Sequence, residues 1–323
     1  MAKQNSLNIQ DYLNPDVMDS LAETLDGVIE NIQAGCVSEA LKAKNGSGDP
    51  TTGSVEYKRF ANAQIQEKGT ARANGKGNKV KAKPVVVKID DDKEIIEELQ
   101  EKDLKLYGVD GMAKKRSKNA QDVIKTYYDR KFFRIGRDAG IQVARDSGDT
   151  TKKIVDRLIS TAKVTKNDFV DGVDEELIAL VVNTKYKGDL KDYLDKLPNG
   201  TTPSNGSIGM YQSVITYESN RMPSDVPAMV MLKEAIALPN YTSEYEAEKV
   251  PFDDAIALEL FAYSGGEALV PEIILYDCDY TYTEVEITQF ASGTTYYTYN
   301  KGEYSVVPTG ATFDSEETYY TRA

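Results

Sequence analysis

The sequence predicts an α+β fold in which a long extended arm precedes one long helix and a region of mixed strands and helices. Three periodic runs carry this expectation: two strand-like segments at Val55–Gln66 and Lys79–Ile89, a helical apolar stripe over Ala113–Ala139, and alternating strand and helix patterns over 150–275. The chain has 323 residues, of which 40% are hydrophobic and 28% charged. This length and composition suit a folded protein with one large core or several ordinary ones.

A short helix is predicted near the N-terminus, where apolar residues recur at helical spacing between Val17 and Ile32. The segment Lys44–Pro50 is rich in Gly, Asn and Ser and is typical of a linker. Residues Met1–Leu13 show no basic region followed by an apolar stretch, so we expect no secretion signal. The apolar runs are far shorter than the roughly 18 residues that a membrane span needs.

The arm consists of the two predicted strands and the basic loop tip Gly69–Asn78 between them. From Lys58 to Ile89 there are nine basic residues and one acidic residue. An isolated two-stranded hairpin is marginally stable in water, so we expect the arm to pack on something else.

Blocks of opposite charge follow one another along the chain. Asp90–Asp103 holds eight acidic and two basic residues, whereas Met112–Arg137 holds nine basic and two acidic residues. Such alternation favours contacts between neighbouring copies of one molecule. The candidate residues for these inter-subunit contacts are Lys58, Arg59, Arg72, Lys76, Lys79, Lys81, Asp90, Asp91, Asp92, Arg130 and Arg134.

The helix predicted over Ala113–Ala139 would be roughly 40 Å long at 1.5 Å per residue. A basic amphipathic helix for a membrane surface or a calmodulin-like partner is the alternative interpretation. The acidic blocks on both sides and the lack of tryptophan disfavour it, and we expect no membrane partner.

The region after this helix is predicted to mix helices and strands. Thr151 is the expected N-cap of a helix, and a Gly/Pro/Ser/Thr loop is expected over Pro198–Gly209. The other predicted elements are a buried strand at Glu176–Asn183, a helix at Lys185–Leu197, and strands near Tyr211–Tyr217, Ala228–Ala237 and Ala255–Tyr263.

The last 45 or so residues form a tyrosine-rich segment that repeats itself. Nine of the 21 tyrosines lie between Tyr276 and Tyr320. Phe290 precedes the pair Tyr296-Tyr297 at the same spacing at which Phe313 precedes Tyr319-Tyr320. Thr, Val and Tyr with Gly-bearing turns indicate small β-hairpins, so a separate minor β module is predicted.

Several classes of site are disfavoured by composition. The chain has no histidine, which excludes Ser-His-Asp triads, Cys-His pairs and His-containing zinc sites. Cys36 and Cys278 are far apart in sequence and indicate two reduced thiols without a metal motif. Asp90-Asp91-Asp92 could bind a divalent cation, but a partner-facing charge cluster is the favoured interpretation. We therefore expect no enzyme, no cofactor and no metal site.

Nucleic-acid binding is a further alternative for the basic residues. The net charge of the chain is −13, and the 84 residues from Asn240 onward hold 16 acidic and 3 basic residues, so the whole excess lies there. A free-standing nucleic-acid binder usually carries a basic domain, which disfavours this as the main role.

The order of the parts resembles the Hong Kong 97-like capsid fold of tailed-bacteriophage major capsid proteins and encapsulin shells. Val55–Ile89 looks like the extended loop that reaches over a neighbouring subunit, and Ala113–Ala139 looks like the spine helix. Glu176–Leu197 resembles the start of the axial domain, and Leu232–Leu275 resembles the closing strands. The resemblance covers about residues 1–275 and rests on architecture, since no short motif defines the family.

The resemblance implies a major capsid (head) protein of a tailed phage, with an encapsulin-type nanocompartment shell as the alternative. It implies hexamers and pentamers of the chain, a portal, packaged double-stranded DNA contacted non-specifically, and assembly in the host cytoplasm into the virion capsid. Because only about 50 residues precede the arm, it also implies a separate scaffold protein. The implied divisions are an N-terminal arm (1–54), extended loop and acidic connector (55–111), spine helix and peripheral domain (112–170), axial domain and closing strands (171–275) and the tyrosine-rich β module (276–323).

Overall fold

The structure is a computed structural model that describes most of the chain. The described residues are 36–61, 67–68, 82–100, 109–146, 148–167, 169–194, 207–242, 246–249, 255–279, 282–291, 293–300, 303–308 and 310–322. The helix predicted between Val17 and Ile32, the loop tip Gly69–Asn78 and most of the loop Pro198–Gly209 lie outside these residues.

The described residues contain four α-helices, one of which is far longer than the others. This helix, α2, begins at Val109 and ends at Ala139, so it starts four residues before the predicted position. The other three are α1 (Val37–Leu41), α3 (Thr151–Val164) and α4 (Thr184–Leu190). None of the helices in this part of the chain is long and apolar enough to cross a membrane.

The central sheet has six strands in the order β3-β13-β7-β4-β6-β5. Its strands are β3 (Ile141–Gln142), β4 (Ile178–Val182), β5 (Ser207–Tyr211), β6 (Val214–Glu218), β7 (Ala228–Leu232) and β13 (Ile274–Asp277). Strand β4 is buried along its whole length, because it lies inside the sheet between β7 and β6. Helix α3 packs on this sheet through Ile154, Val155, Leu158 and Ile159.

A second sheet is long and narrow. Its strands are β1 (Ser54–Phe60), β2 (Ala82–Gln100), β9 (Asn240–Thr242), β10 (Glu246–Lys249) and β11 (Ala255–Gly265). The first part of β2 pairs with β1, and the second part pairs antiparallel with β11. The two predicted strands of the arm are thus confirmed over Val55–Phe60 and Ala82–Ile89, and residues 62–66 and 79–81 lie outside the described part of the chain. The acidic residues after Ile89 continue β2 because β11 supplies hydrogen-bond partners there. The short strands β8 (Ile236–Ala237) and β12 (Glu267–Ala268) pair with each other.

One hydrophobic core joins the central sheet, α3 and one face of α2. Phe132 and Phe133 of α2 are completely buried in it, together with the predicted stripe residues Ile124 and Tyr128. The apolar stripe predicted from the sequence therefore does face the core. A smaller cluster of Val55, Tyr57, Val87, Ala43 and Ala237 anchors the arm on the body.

Two local predictions need correction. The N-cap of α3 is Thr150, whose hydroxyl accepts a hydrogen bond from the Lys153 amide, and not Thr151. Thr151 lies inside the first turn and its hydroxyl bonds the Asp189 carboxylate instead. The helix predicted over Lys185–Leu197 ends as α4 at Leu190 and continues only as a 3₁₀ turn over Lys191–Tyr193.

The predicted strand Tyr211–Tyr217 is a hairpin of β5 and β6. Gln212 and Ser213 form its turn, and both have positive φ angles, 48° and 66°. A two-residue turn with two positive φ angles matches the twist of the flanking strands.

The C-terminal segment forms a separate four-stranded sheet in the order β14-β17-β15-β16. Its strands are β14 (Tyr282–Val285), β15 (Tyr296–Asn300), β16 (Glu303–Val306) and β17 (Tyr319–Arg322). The expected start of the module at 276 falls inside β13, so the small sheet begins six residues later.

An approximate two-fold axis relates the two sequence repeats within this small sheet. Tyr297 pairs with its own repeat counterpart Tyr320, and β14 and β16 each pair with the second strand of the other repeat. Phe290 and Phe313 pack edge-to-face, with ring centroids 5.7 Å apart. Neither repeat pairs its own two strands with each other, so the module requires both.

Candidate assembly surfaces

The arm has an inner face that is fixed to the body and an outer face that is not covered by described residues of the chain. Val55 and Tyr57 of β1, with Val87 of β2, point inward and are buried. The alternation of strand side chains places Phe60 and Val86 on the opposite face, where each is 57% exposed. An exposed, partly apolar sheet face is a candidate surface for another protein chain.

The basic residues expected to make inter-subunit contacts divide into three groups. Lys58 is exposed on the outer face, and its Nζ lies 3.9 Å from Glu56. Arg59 points inward, where its guanidinium lies 3.1 Å from Glu272 Oε2 and 4.5 Å from the ring centroid of Phe169. The other predicted arm residues, Arg72, Lys76, Lys79 and Lys81, lie outside the described residues.

The three aspartates in the middle of β2 do not share one environment. Asp90 and Asp92 are exposed, whereas Asp91 between them points to helix α2. Strand alternation causes this difference, because successive side chains leave a strand on opposite faces. Asp90 is also the extra residue of a β-bulge, since Asp91 pairs with Ser264 and Ile89 with Gly265.

Asp91 is the centre of a polar junction between β2, β11 and α2. Its carboxylate lies 2.7 Å from Lys131 Nζ and 2.8 Å from Lys93 Nζ, and it accepts a hydrogen bond from the Tyr127 hydroxyl. Lys131 also donates to the hydroxyl of Ser264. Partial burial opposes ionisation of Asp91, but the hydrogen bonds from Lys131, Lys93 and Tyr127 outweigh it and hold the pKa of the carboxyl well below its usual range.

Two further ion pairs attach α2 to the segment between β6 and β7. Asp129 is almost completely buried, accepts hydrogen bonds from the amide and hydroxyl of Ser38, and lies 2.7 Å from Arg221 Nη1. Two turns further along α2, Arg137 lies 2.5 Å from Asp225. Breaking a buried pair leaves an uncompensated charge and costs about 3–5 kcal/mol. An acidic and a basic residue of the long helix, Asp129 and Arg137, therefore both attach it to the segment between β6 and β7.

The two predicted contact residues on α2 occupy different positions. Arg130 is exposed, and Arg134 is half-buried near the junction around Asp91. Arg130 thus has the accessibility that a contact with another molecule needs. Arg59 and Asp91 are compensated inside this chain before any neighbour is present.

One buried polar cluster was not predicted from the sequence. Asp277 at the end of β13 is completely buried, and Arg145 forms a bidentate ion pair with its carboxylate. Arg145 Nε donates to Oδ1 at 2.5 Å, and Nη2 donates to Oδ2 at 2.7 Å. The Tyr186 hydroxyl donates to the same carboxylate at 2.8 Å. The three residues are separated by at least 41 positions in the sequence, so no local pattern could have revealed the cluster.

The small C-terminal sheet contacts the last turn of α2. The Tyr299 hydroxyl donates to Asp138, and the Arg137 guanidinium lies 5.5 Å from the ring centroid of Tyr299. In the repeat, the counterpart of Tyr299 is Arg322, which lies against the ring of Tyr297 at 5.2 Å. The repeats differ at this position, where the first repeat contacts the end of α2.

No protein-family model matches the chain, and a search of curated proteins finds no similar sequence. Solved structures do match. The capsid of Ralstonia phage GP4 is similar with a TM-score of 0.52 and 14% identity, over 73% of this chain and 84% of that chain. The capsid of cyanophage P-SCSP1u has a TM-score of 0.50 and 14% identity, over 74% and 85%.

The structure of a virus-like particle matches to a similar degree. The virus-like particle from Pyrococcus furiosus has a TM-score of 0.51 and 11% identity, over 80% of this chain and 97% of that chain. At such low identities the likeness is one of fold. Over the matched share of the chain, the fold is therefore similar to that of phage capsid proteins and of a virus-like particle.

Proposed function

We propose that this chain is the major capsid protein of a tailed bacteriophage, a subunit that assembles with copies of itself into a closed icosahedral shell around the genome. The observation that carries the proposal is the fold shared with the Ralstonia phage GP4 capsid over 73% of this chain and 84% of that chain. The exposed outer face of the arm supports it, because a two-stranded segment gains stability by packing against a further layer.

In this proposal the fold is of the Hong Kong 97-like type and each part has a mechanical role. The arm from Val55 to Ile89 lies across an adjacent subunit, and α2 is the rigid axis of the peripheral domain. The central sheet surrounds the five-fold and six-fold positions of the shell. The small sheet, which we place at 282–322, is an appended module on the outside.

The proposed partners derive from that role. Copies of the chain form hexamers and pentamers, a separate scaffold protein guides their closure, and a portal occupies one vertex. Packaged double-stranded DNA is contacted through its phosphates without sequence preference. The site of assembly is the host cytoplasm and the final location is the virion capsid. No step of this role requires a catalytic residue or a cofactor.

Electron microscopy of the purified protein, alone and co-expressed with the phage scaffold gene, tests the proposal. We expect rings or closed shells with icosahedral symmetry. A protein that remains monomeric at high concentration with the scaffold present would contradict it. Arm variants that keep the circular dichroism spectrum but lose the shells would locate the defect in assembly and not in folding.

An encapsulin-type shell is the second candidate, and the match to the Pyrococcus furiosus virus-like particle is no better than the match to the Ralstonia phage GP4 capsid. Shells that form without scaffold and enclose a protein cargo would support this candidate. Shells that need scaffold and protect DNA from nuclease would support the phage capsid. A salt titration of duplex DNA binding separates both from a nucleic-acid-binding protein, whose affinity would fall steeply with salt.

A further inference from the structure

The outer face of β2 changes its chemistry along the strand. Every second residue from position 82 to position 98 is exposed, whereas most of the residues between them are buried or half-buried. The exposed residues of this face are, in order, Ala82, Pro84, Val86, Lys88, Asp90, Asp92, Glu94, Ile96 and Glu98. The face is therefore apolar and basic in its first half and acidic in its second half.

The first half becomes a wider surface because β1 pairs with it. Phe60 lies opposite Ala82, Lys58 lies opposite Pro84, and Glu56 lies opposite Val86, so this part of the face holds one carboxylate beside its lysines. The apolar-basic patch is defined here by Lys58, Phe60, Pro84, Val86 and Lys88. Its largest apolar side chains are more than half exposed, at 57% each for Phe60 and Val86, so water still covers area that another surface could bury.

The second half of this face is acidic, opposite in charge to the first half. The acidic patch is defined here by Asp90, Asp92, Glu94, Ile96 and Glu98, with Ile96 51% exposed among the carboxylates. Aromatic rings border it, because Asp92 pairs with Tyr263, whose ring stacks on Tyr241 at 4.7 Å. The carboxylates Asp91 and Glu97, which form ion pairs within the chain with Lys131 and Arg116, lie on the inward face.

Lys88 and Asp90 are neighbours where the two patches adjoin, but the rest of one patch cannot meet the other within one chain. Val86 and Glu94 are eight residues apart on one continuous strand, which is about 26 Å at 3.3 Å per residue. A hydrogen-bonded strand does not fold back on itself over that distance. Opposite charges and exposed apolar groups at both ends can therefore be brought together only between molecules.

We propose that the acidic patch binds the apolar-basic patch of a second copy of this chain. The contact uses two different surfaces of one molecule, so it is a head-to-tail contact that repeats from copy to copy and closes into rings when its rotation allows. Lys58 and Lys88 then meet carboxylates of the neighbour, and Phe60 and Val86 cover Ile96 and the bordering aromatic rings. The inference rests on the proposed shell function and names one contact of that shell.

Charge reversal tests the pairing. The variant Lys58→Glu with Lys88→Glu makes both patches acidic, and the variant Asp92→Lys with Glu94→Lys and Glu98→Lys makes both patches basic. We expect each variant alone to lose at least tenfold in the fraction of assembled protein, and an equimolar mixture of the two to recover oligomers with an even number of copies. The control Lys153→Glu with Lys185→Glu makes the same change in charge as the first variant at exposed positions elsewhere and should assemble as the unchanged protein does.

Chemical cross-linking tests the contact independently of shell formation. Chains carrying Val86→Cys are mixed with chains carrying Glu94→Cys and treated with a bis-maleimide linker. The native Cys36 and Cys278 are buried at 1% and 4% exposure and should not compete. We expect a cross-linked dimer from the mixture, and none when Lys153→Cys replaces Val86→Cys.

The possible outcomes separate the two proposals. Shells without the 86–94 cross-link, or charge-reversed variants that assemble normally, would overturn the contact and leave the shell function standing. A specific cross-link in small oligomers, without any closed shell, would support the contact and contradict the shell function. A mixture of reversed variants that forms no oligomers while the control does assemble would also overturn the contact.

Discussion

Lys131 Nζ lies 2.7 Å from Asp91 Oδ2, and this ion pair joins α2 to β2 at the point where β2 changes its partner from β1 to β11. The bulge at Asp90 lies beside the pair. A bulge increases the local twist of its strand and bends the strand at that position. The direction of the arm relative to the long helix is therefore set by a polar contact at a bend as well as by apolar packing.

The Asp91–Lys131 pair should contribute measurably to stability. Lys131→Met leaves the half-buried carboxylate without its cationic partner on α2, and we expect the free energy of unfolding to fall by about 2 kcal/mol. Lys93→Met is the matched control: its ammonium lies 2.8 Å from the same carboxylate, but the side chain is 52% exposed, so a loss under about 0.5 kcal/mol is expected. Urea unfolding measures both, and equal losses would contradict the role of burial.

The contribution of Asp91 to stability should decrease as the pH falls into the acid range. The folded-state pKa of this carboxyl is lowered, so its contribution is fully present above the unfolded pKa, about 3.9, and is lost as the pH falls through the folded value. We expect the difference in unfolding free energy between the unchanged protein and Asp91→Asn to be constant above about pH 5. Below about pH 4 the difference should shrink, and a difference that grows in acid would refute the assignment.

Gly265 should be required at the bulge, and Gly188 should not be required in α4. A Cβ at Gly265 would lie 2.1 Å from the Lys88 carbonyl oxygen, which is backbone and cannot move aside cheaply. We expect Gly265→Ala to cost about 2 kcal/mol or more. A Cβ at Gly188 meets open space, so Gly188→Ala should stabilise the helix by about 0.5–1 kcal/mol. Thermal unfolding of the two variants should shift in opposite directions, and a shared direction would contradict this.

Removing half of the small sheet should cause more aggregation than removing all of it. A chain that stops after Asn300 keeps β14 and β15 but loses both strands with which they pair, and exposes Phe290, Tyr296 and Tyr297. A chain that stops after Asp279 keeps Asp277 and its buried contacts. We expect more dye binding and aggregation from the first truncation. Equal behaviour in light scattering would show that the repeats are independent of each other.

The elements that could be predicted from the sequence are those with a local period. The apolar stripe of α2 and the buried run of β4 can be recognised in the sequence, because helix and strand spacing decide which side chains share a face. The structure also shows contacts that local patterns do not contain. Asp91 belongs to an acidic triplet in the sequence, and only its pairing with Lys131, 40 residues away, distinguishes it from its neighbours.

The burial of charged residues on α2 also depends on contacts that the local sequence does not show. Asp129 and Arg137 lie in a highly charged segment of the sequence, yet both are buried because residues near 221–225 provide partners across the fold. The sequence predicts the charges on the exposed face of β2, but it does not predict how long that face is. Its length depends on β11, which continues the pairing after β1 has ended.

The approximate two-fold axis between Tyr297 and Tyr320 also fixes how the small sheet responds to dilution. Two separate copies of such a repeat would associate in a second-order process and come apart when the protein is diluted. The hairpin between β15 and β16 ties the copies in one chain, so each repeat meets the other at the high effective concentration that a short linker provides. The central β15–β17 pairing is thus the interface of a dimer made within one polypeptide. Its folding is first order and should proceed at the same rate at any protein concentration.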